Sequence, residues 1–134
     1  MRGHEWVVEA HGCDAAALAD RAALAMLFDR MIGDLSLTPV MPATWHQFPD
    51  PGGITGFVVL AESHLAIHTF PEHGALCLNL FCCGPTPEWD FGGMLRALLG
   101  ASVVQVRCLE RLYARATVGA SSRTTPVSVR IVRA

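Results

Sequence analysis

Apolar and polar positions along this chain fall into short blocks of two periods. His4 to Ala10 is partly β-branched and is followed by Gly12, which predicts a first strand. Asp14 then precedes an alanine-rich run, where its carboxylate can cap free backbone N–H groups. A single helix is expected to follow, with Leu24, Leu27, Phe28, Met31 and Leu35 forming one apolar stripe. Gly33 weakens its last turn, and Pro39 and Pro42 stop it. Val40 to Phe48 is expected to be extended, before the turn-rich stretch Pro49-Asp50-Pro51-Gly52-Gly53.

Ile54 to Ala61 is an apolar, β-branched run bounded by turns and predicts a buried strand. Leu65 to Phe70 and Ala75 to Cys83 predict two more, joined as a hairpin by Pro71-Glu72-His73-Gly74. Trp89 to Leu99 reads as a second helix weakened by Gly92 and Gly93, and Val103 to Leu109 as a further strand. Residues from about 114 to 134 read as a loose tail, although Val127, Val129 and Ile131 alternate as an edge strand would. The fold class expected is α+β, in the order β-α-β-β-β-β-α-β, with one antiparallel sheet carrying both helices on one face. The other face needs a cover. An αββα sandwich formed with a second copy supplies one.

Composition sharpens this picture. With 134 residues, 51% of them hydrophobic and 16% charged, the chain fits one well-buried domain spanning 1–134, and a homodimer is expected. A net charge of -2 and a sparse basic tail argue against nucleic acid. There is no long apolar run and no leader-like start, so neither a membrane span nor secretion is expected, and the location expected is cytoplasmic. Five cysteines without regular spacing suit free thiols in a reducing compartment. Every basic residue is arginine. Without a lysine the chain cannot hold pyridoxal phosphate as its own Schiff base, so amine chemistry would need another electrophile.

Polar chemistry concentrates between Ala61 and Gly84. His64 and His68 with Glu72, His73 and the nearby cysteines are zinc-competent residue types, but the spacing matches no zinc signature, and no metal is expected. Adjacent Cys82 and Cys83 must point to opposite faces of an extended segment. Alternation puts Cys77, Asn79, Phe81 and Cys83 on one face and Leu76, Leu78, Leu80 and Cys82 on the other, so Cys82 reads as core and Cys83 as a site residue.

Glu62-Ser63-His64, His68-Thr69, Phe70-Pro71-Glu72 and Cys83-Gly84 together resemble the processing and active-site segment of S-adenosylmethionine decarboxylases of the small prokaryotic type. Gly3-His4, Gly12-Cys13-Asp14, Trp45-His46-Gln47-Phe48 and Thr55-Gly56 extend the resemblance over most of the chain. It implies self-cleavage between Glu62 and Ser63, with Ser63 converted into a covalent pyruvoyl group that forms a Schiff base with the substrate. His68 is then the processing base, Thr55 assists processing, and Cys83 is the proton donor in decarboxylation. Glu72 would hold ribose hydroxyls and Phe48 would stack on adenine. The product would be the aminopropyl donor for spermidine synthesis.

The family commonly has tryptophan, tyrosine, aspartate and threonine where Phe70, His73, Asn79 and Cys82 stand here. Relatives in this family have turned to arginine or ornithine, which are the alternative substrates. An unprocessed ligand-binding or structural homologue is the non-enzymatic alternative.

Overall fold

The computed structural model describes residues 2–114 and 127–133. Seven antiparallel strands form one sheet: β1 (Arg2–His11), β2 (Thr44–Gln47), β3 (Ile54–Leu60), β4 (Ser63–Phe70), β5 (Ala75–Cys82), β6 (Val103–Leu112) and β7 (Val127–Arg133). Their spatial order is β2-β3-β4-β5-β1-β6-β7, so the first strand lies inside the sheet between β5 and β6. Three helices, α1 (Ala15–Leu18), α2 (Arg21–Asp34) and α3 (Phe91–Leu99), pack on one face. The core lies between them and the alternating inward residues, among them Trp6, Val8, Ile54, Val58, Leu65, Ile67, Leu78 and Leu80.

Three local expectations are corrected. The helix after Asp14 is two helices, because Asp20 leaves helical geometry and turns its carboxylate onto the Ala22 N–H at 2.9 Å, capping a second start. The strand within the Val40–Phe48 stretch is confined to Thr44–Gln47, preceded by an isolated bridge from Pro39 to Leu60, since Pro42 has no N–H to give a ladder. The run from Ile54 is buried on one face only. Within a single chain Phe57 is 42% exposed and Val59 38%, because the helices cover one side of the sheet.

The sheet fits closely around particular residues. A Cβ on Gly56 would stand 2.3 Å from the Trp45 ring, which itself packs against Phe28 with centroids 4.9 Å apart. Glycine at that position lets the indole lie flat on β3. Thr69 is the one buried polar residue of the core among those described. Its hydroxyl donates to the Leu18 carbonyl at 2.7 Å and accepts from the Ile54 N–H at 2.9 Å, tying the end of α1 to β3 and β4. The predicted hairpin turn is a single 3-10 turn at Pro71–His73, with Gly74 in the left-handed region at φ 57°. At the other end of the chain, β7 is an edge strand beside β6, while residues 115–126 of the expected loose tail lie outside the described residues.

Candidate active site

Ser63 opens β4 directly after the tight turn Ala61-Glu62. That turn is held from both sides: the Ala61 N–H donates to the Thr38 carbonyl at 2.8 Å, and the Cys83 N–H donates to the Glu62 carbonyl at 2.9 Å. The peptide bond before Ser63 therefore has an oriented carbonyl with a backbone donor on its oxygen. Ser63 lies directly opposite Cys82 in the β4–β5 register, and both line a crevice with Leu37 and Thr86. Cys82 is buried, which pushes its thiol above the ordinary range; contact with the Thr86 and Ser63 hydroxyls offsets part of that rise. Cys83, just past the end of β5, is half-buried. It lines an open cavity of about 410 Å³ with Glu62, Gly84 and Tyr113.

A second cluster sits at the opposite end of the same hairpin. Thr55 Oγ1 and His68 Nδ1 lie 3.1 Å apart across the β3–β4 pair. They line a cavity of about 330 Å³ with Phe48, Phe70 and Glu72. Phe48 is exposed and meets His46 edge-on with ring centroids 4.6 Å apart, which leaves a face of its ring open.

The structure thus gathers the seven site residues expected from sequence into two groups. Glu62, Ser63 and Cys83 form one, and Phe48, Thr55, His68 and Glu72 form the other. His68 lies five positions after Ser63 on one uninterrupted strand. At about 3.4 Å per residue the two are about 17 Å apart. Their side chains also leave opposite faces: Ser63 alternates with buried Leu65 and Ile67, and His68 with His64 and Ala66. Within one chain they do not meet.

Of the residues where the sequence departs from its family's pattern, Phe70 borders the second cavity and His73 is exposed. Asn79 is engaged by both ends of its amide. It bridges His64 Nε2 at 2.9 Å and Glu5 at 2.8 Å, and Glu5 in turn pairs with Arg111. His64 stacks between Phe57 and Phe81 on the sheet face beside the turn. Among the described residues, no three of His, Cys, Asp and Glu converge as a metal ion would require.

Two contributors were not found by reading the sequence. The donor on the Glu62 carbonyl is a backbone N–H, which leaves no mark in residue identity. The other is Tyr113, the chain's only tyrosine, whose hydroxyl donates to the Cys83 carbonyl at 2.9 Å. Its position at the end of an apolar strand gave no periodic signal.

Known proteins are similar to this chain over most of its length. The sequence profile of the family described as S-adenosylmethionine decarboxylase matches residues 4–112. A protein of Acidithiobacillus ferrooxidans named S-adenosylmethionine decarboxylase proenzyme is 34% identical over 113 residues, covering 81% of this chain and 81% of its own length. A protein of the same name from Prochlorococcus marinus is 36% identical over 112 residues, covering 83% of this chain and 88% of its own. The crystal structure of the adenosylmethionine decarboxylase from Aquifex aeolicus superposes with a TM-score of 0.69 at 27% identity, covering 90% of this chain and 97% of that one. The chain belongs to the S-adenosylmethionine decarboxylase family.

Proposed function

We propose that this chain is a proenzyme that cuts itself between Glu62 and Ser63, turns Ser63 into a pyruvoyl group, and then decarboxylates S-adenosylmethionine to the aminopropyl donor for spermidine synthesis. The observation that carries the proposal is the Cys83 N–H seated 2.9 Å from the Glu62 carbonyl oxygen. Attack of the Ser63 hydroxyl on the Glu62 carbonyl carbon places negative charge on that oxygen, where a donor is already aimed. Collapse breaks the C–N bond, the Ser63 nitrogen takes up a proton, and an ester joins Glu62 to the Ser63 oxygen. A base then removes the Ser63 α-proton as the Glu62 carboxylate departs, and hydrolysis of the resulting dehydroalanine releases ammonia and leaves the ketone.

The residues present fit such a group: a β-hydroxyl after an oriented carbonyl, with a half-buried thiol beside it. The pyruvoyl ketone supplies an electron sink for the bond broken as carbon dioxide leaves. Cys83 donates the proton that replaces it. Glu72 and Phe48 share one cavity with His68, and its volume of about 330 Å³ is in the range of small-molecule sites. Glu72 there suits ribose hydroxyls, and the open ring of Phe48 suits adenine.

The separation of the two clusters supports a site shared with a second copy. The uncovered sheet face carries Phe57, Val59 and Phe70, and also Val129 and Ile131 of β7. Two such faces packed about a twofold axis with their strands reversed would bring His68 and Thr55 of one chain over Cys83 and the Glu62–Ser63 peptide of the other. That peptide is reached at the open end of β4 and not through the sheet face that Ser63 itself takes. This gives a homodimer of cleaved chain pairs and an αββα sandwich. A cytoplasmic location belongs to the same proposal. All five cysteines are unpaired, and no described helix is long and apolar enough to cross a membrane.

Intact mass and a denaturing gel test the reading, which requires fragments 1–62 and 63–134, the second lacking a free N-terminal amine, and a Ser63→Ala variant that stays whole. Wild-type protein that remains one unmodified chain on incubation would leave only a non-catalytic ligand-binding homologue. Glu72 would also pair with the cationic end of arginine or ornithine. A side-by-side assay of carbon dioxide release from these and from S-adenosylmethionine separates the substrates, and release from S-adenosylmethionine is expected.

A further inference from the structure

We infer that Tyr113 is a positioning residue for Cys83, through its hydroxyl and not its ring; the inference rests on the pyruvoyl reading above. Cys83 stands one residue beyond the end of β5 and is followed by Gly84-Pro85. The ladder no longer holds it there, Gly84 is free to rotate, and Pro85 has no N–H to contribute. Two hydrogen bonds fix its backbone among the described residues. Its N–H donates to the Glu62 carbonyl at 2.9 Å, and its own carbonyl accepts from Tyr113 Oη at 2.9 Å.

The first bond points at the peptide to be cut, so the second controls how well the first is aimed. The Tyr113 ring is 53% exposed and contributes little packing, which leaves the hydroxyl as the working part. After cleavage Glu62 becomes a free chain end, and its grip on Cys83 loosens. The Tyr113 bond does not involve the broken peptide, so its share in holding the thiol rises. The hydroxyl is therefore expected to matter for cutting and to matter more for where the proton goes afterward. Protonation of the substrate carbon releases the product amine and restores the pyruvoyl group. Protonation at the pyruvoyl carbon instead, followed by hydrolysis, leaves an N-terminal alanine on the 63–134 chain and releases an aldehyde.

The test compares full-length wild type, Tyr113→Phe and Tyr113→Leu. The rate of appearance of the 1–62 and 63–134 chains is followed on gels. The fraction of 63–134 chains that becomes readable as alanine by N-terminal sequencing is counted per turnover with S-adenosylmethionine, since a pyruvoyl end blocks sequencing. Loss of one hydrogen bond predicts cutting slowed about 3- to 10-fold and an alanine fraction raised by a similar or larger factor in both variants. Melting temperatures are expected to stay within about 2 °C of wild type, as for a change at an exposed side chain. Wild-type cutting and partition in Tyr113→Phe would overturn the inference, as would a defect confined to Tyr113→Leu, which would assign the role to the ring. Failure of the wild type itself to cut would instead overturn the underlying reading.

Discussion

Splitting Ser63 and His68 between two pools of chains tests the geometry most directly. In a His68→Ala chain the serine is intact and the base is missing; in a Ser63→Ala chain the reverse holds. The two positions lie five residues apart on β4 and leave opposite faces of the sheet, a separation of about 17 Å. Proton transfer needs heavy atoms within about 3 Å, or one intervening water. No side-chain rotation closes that gap within one chain, and each variant alone is expected to stay uncut because every site in its pool lacks either the serine or the base. Co-expression in equal amounts changes the outcome. If chains pair at random, about half of the dimers are mixed, and each mixed dimer has one site with Ser63 from one chain and His68 from the other. Up to about half of the His68→Ala chains should then be cut, read on a denaturing gel with a tag on one pool. A co-expressed mixture that stays whole would refute the two-chain site. So would efficient cutting of His68→Ala alone, which would show that the base lies elsewhere.

Other expectations follow from single contacts. Thr69→Val keeps the shape of the side chain but leaves the buried Leu18 carbonyl and Ile54 N–H without their partner, at a cost of about 2–4 kcal/mol in total. That corresponds to a melting temperature lower by about 6–14 °C; a loss below about 0.5 kcal/mol would show that water replaces the hydroxyl, and Thr69→Ser should lie nearer wild type. Burial pushes the Cys13 thiol up to about 11 from an ordinary value of 9.0, so the folded state favours its neutral form. Its contribution to stability is full below pH 9.0 and is lost as pH rises toward about 11. Cys13→Ala should flatten denaturation profiles in that window, with a residual slope from Cys82 and Cys108, whose thiols are also raised. Phe48→Ala should raise KM for S-adenosylmethionine about 2- to 10-fold through lost stacking while leaving self-cleavage intact; an unchanged KM would remove Phe48 from the binding site.

Much of the architecture follows from local pattern. Period-two alternation from Ala75 to Cys82 fixes which side chains face the helices, and the structure buries Leu76, Leu78, Leu80 and Cys82 accordingly. The apolar stripe Leu24, Leu27, Phe28 and Met31 appears as the buried face of α2. The turn at Pro71–His73 follows from proline and glycine chemistry. The string from Glu62 to Gly84 is specific enough to point to the family before any coordinates are known. These features survive because burial, capping and turn geometry are set within a few residues of the chain.

Features that local rules left open, or that distant segments set, were not legible. The break at Asp20 competes with a good helical run, and a cap on either side of it satisfies the same local rules. Ile54 to Ala61 reads as a buried strand, yet whether each sheet face is covered depends on what packs there, not on the strand. The interval from Ser63 to His68 was visible all along; its meaning depended on both lying on one unbroken strand. The Tyr113 to Cys83 contact joins residues thirty positions apart because β1 inserts between β5 and β6 and brings their ends together. Sequence determines which residues have the chemistry and which face each one takes. Strand order and register decide which of them are neighbours within one chain, because those follow from the closure of the whole sheet.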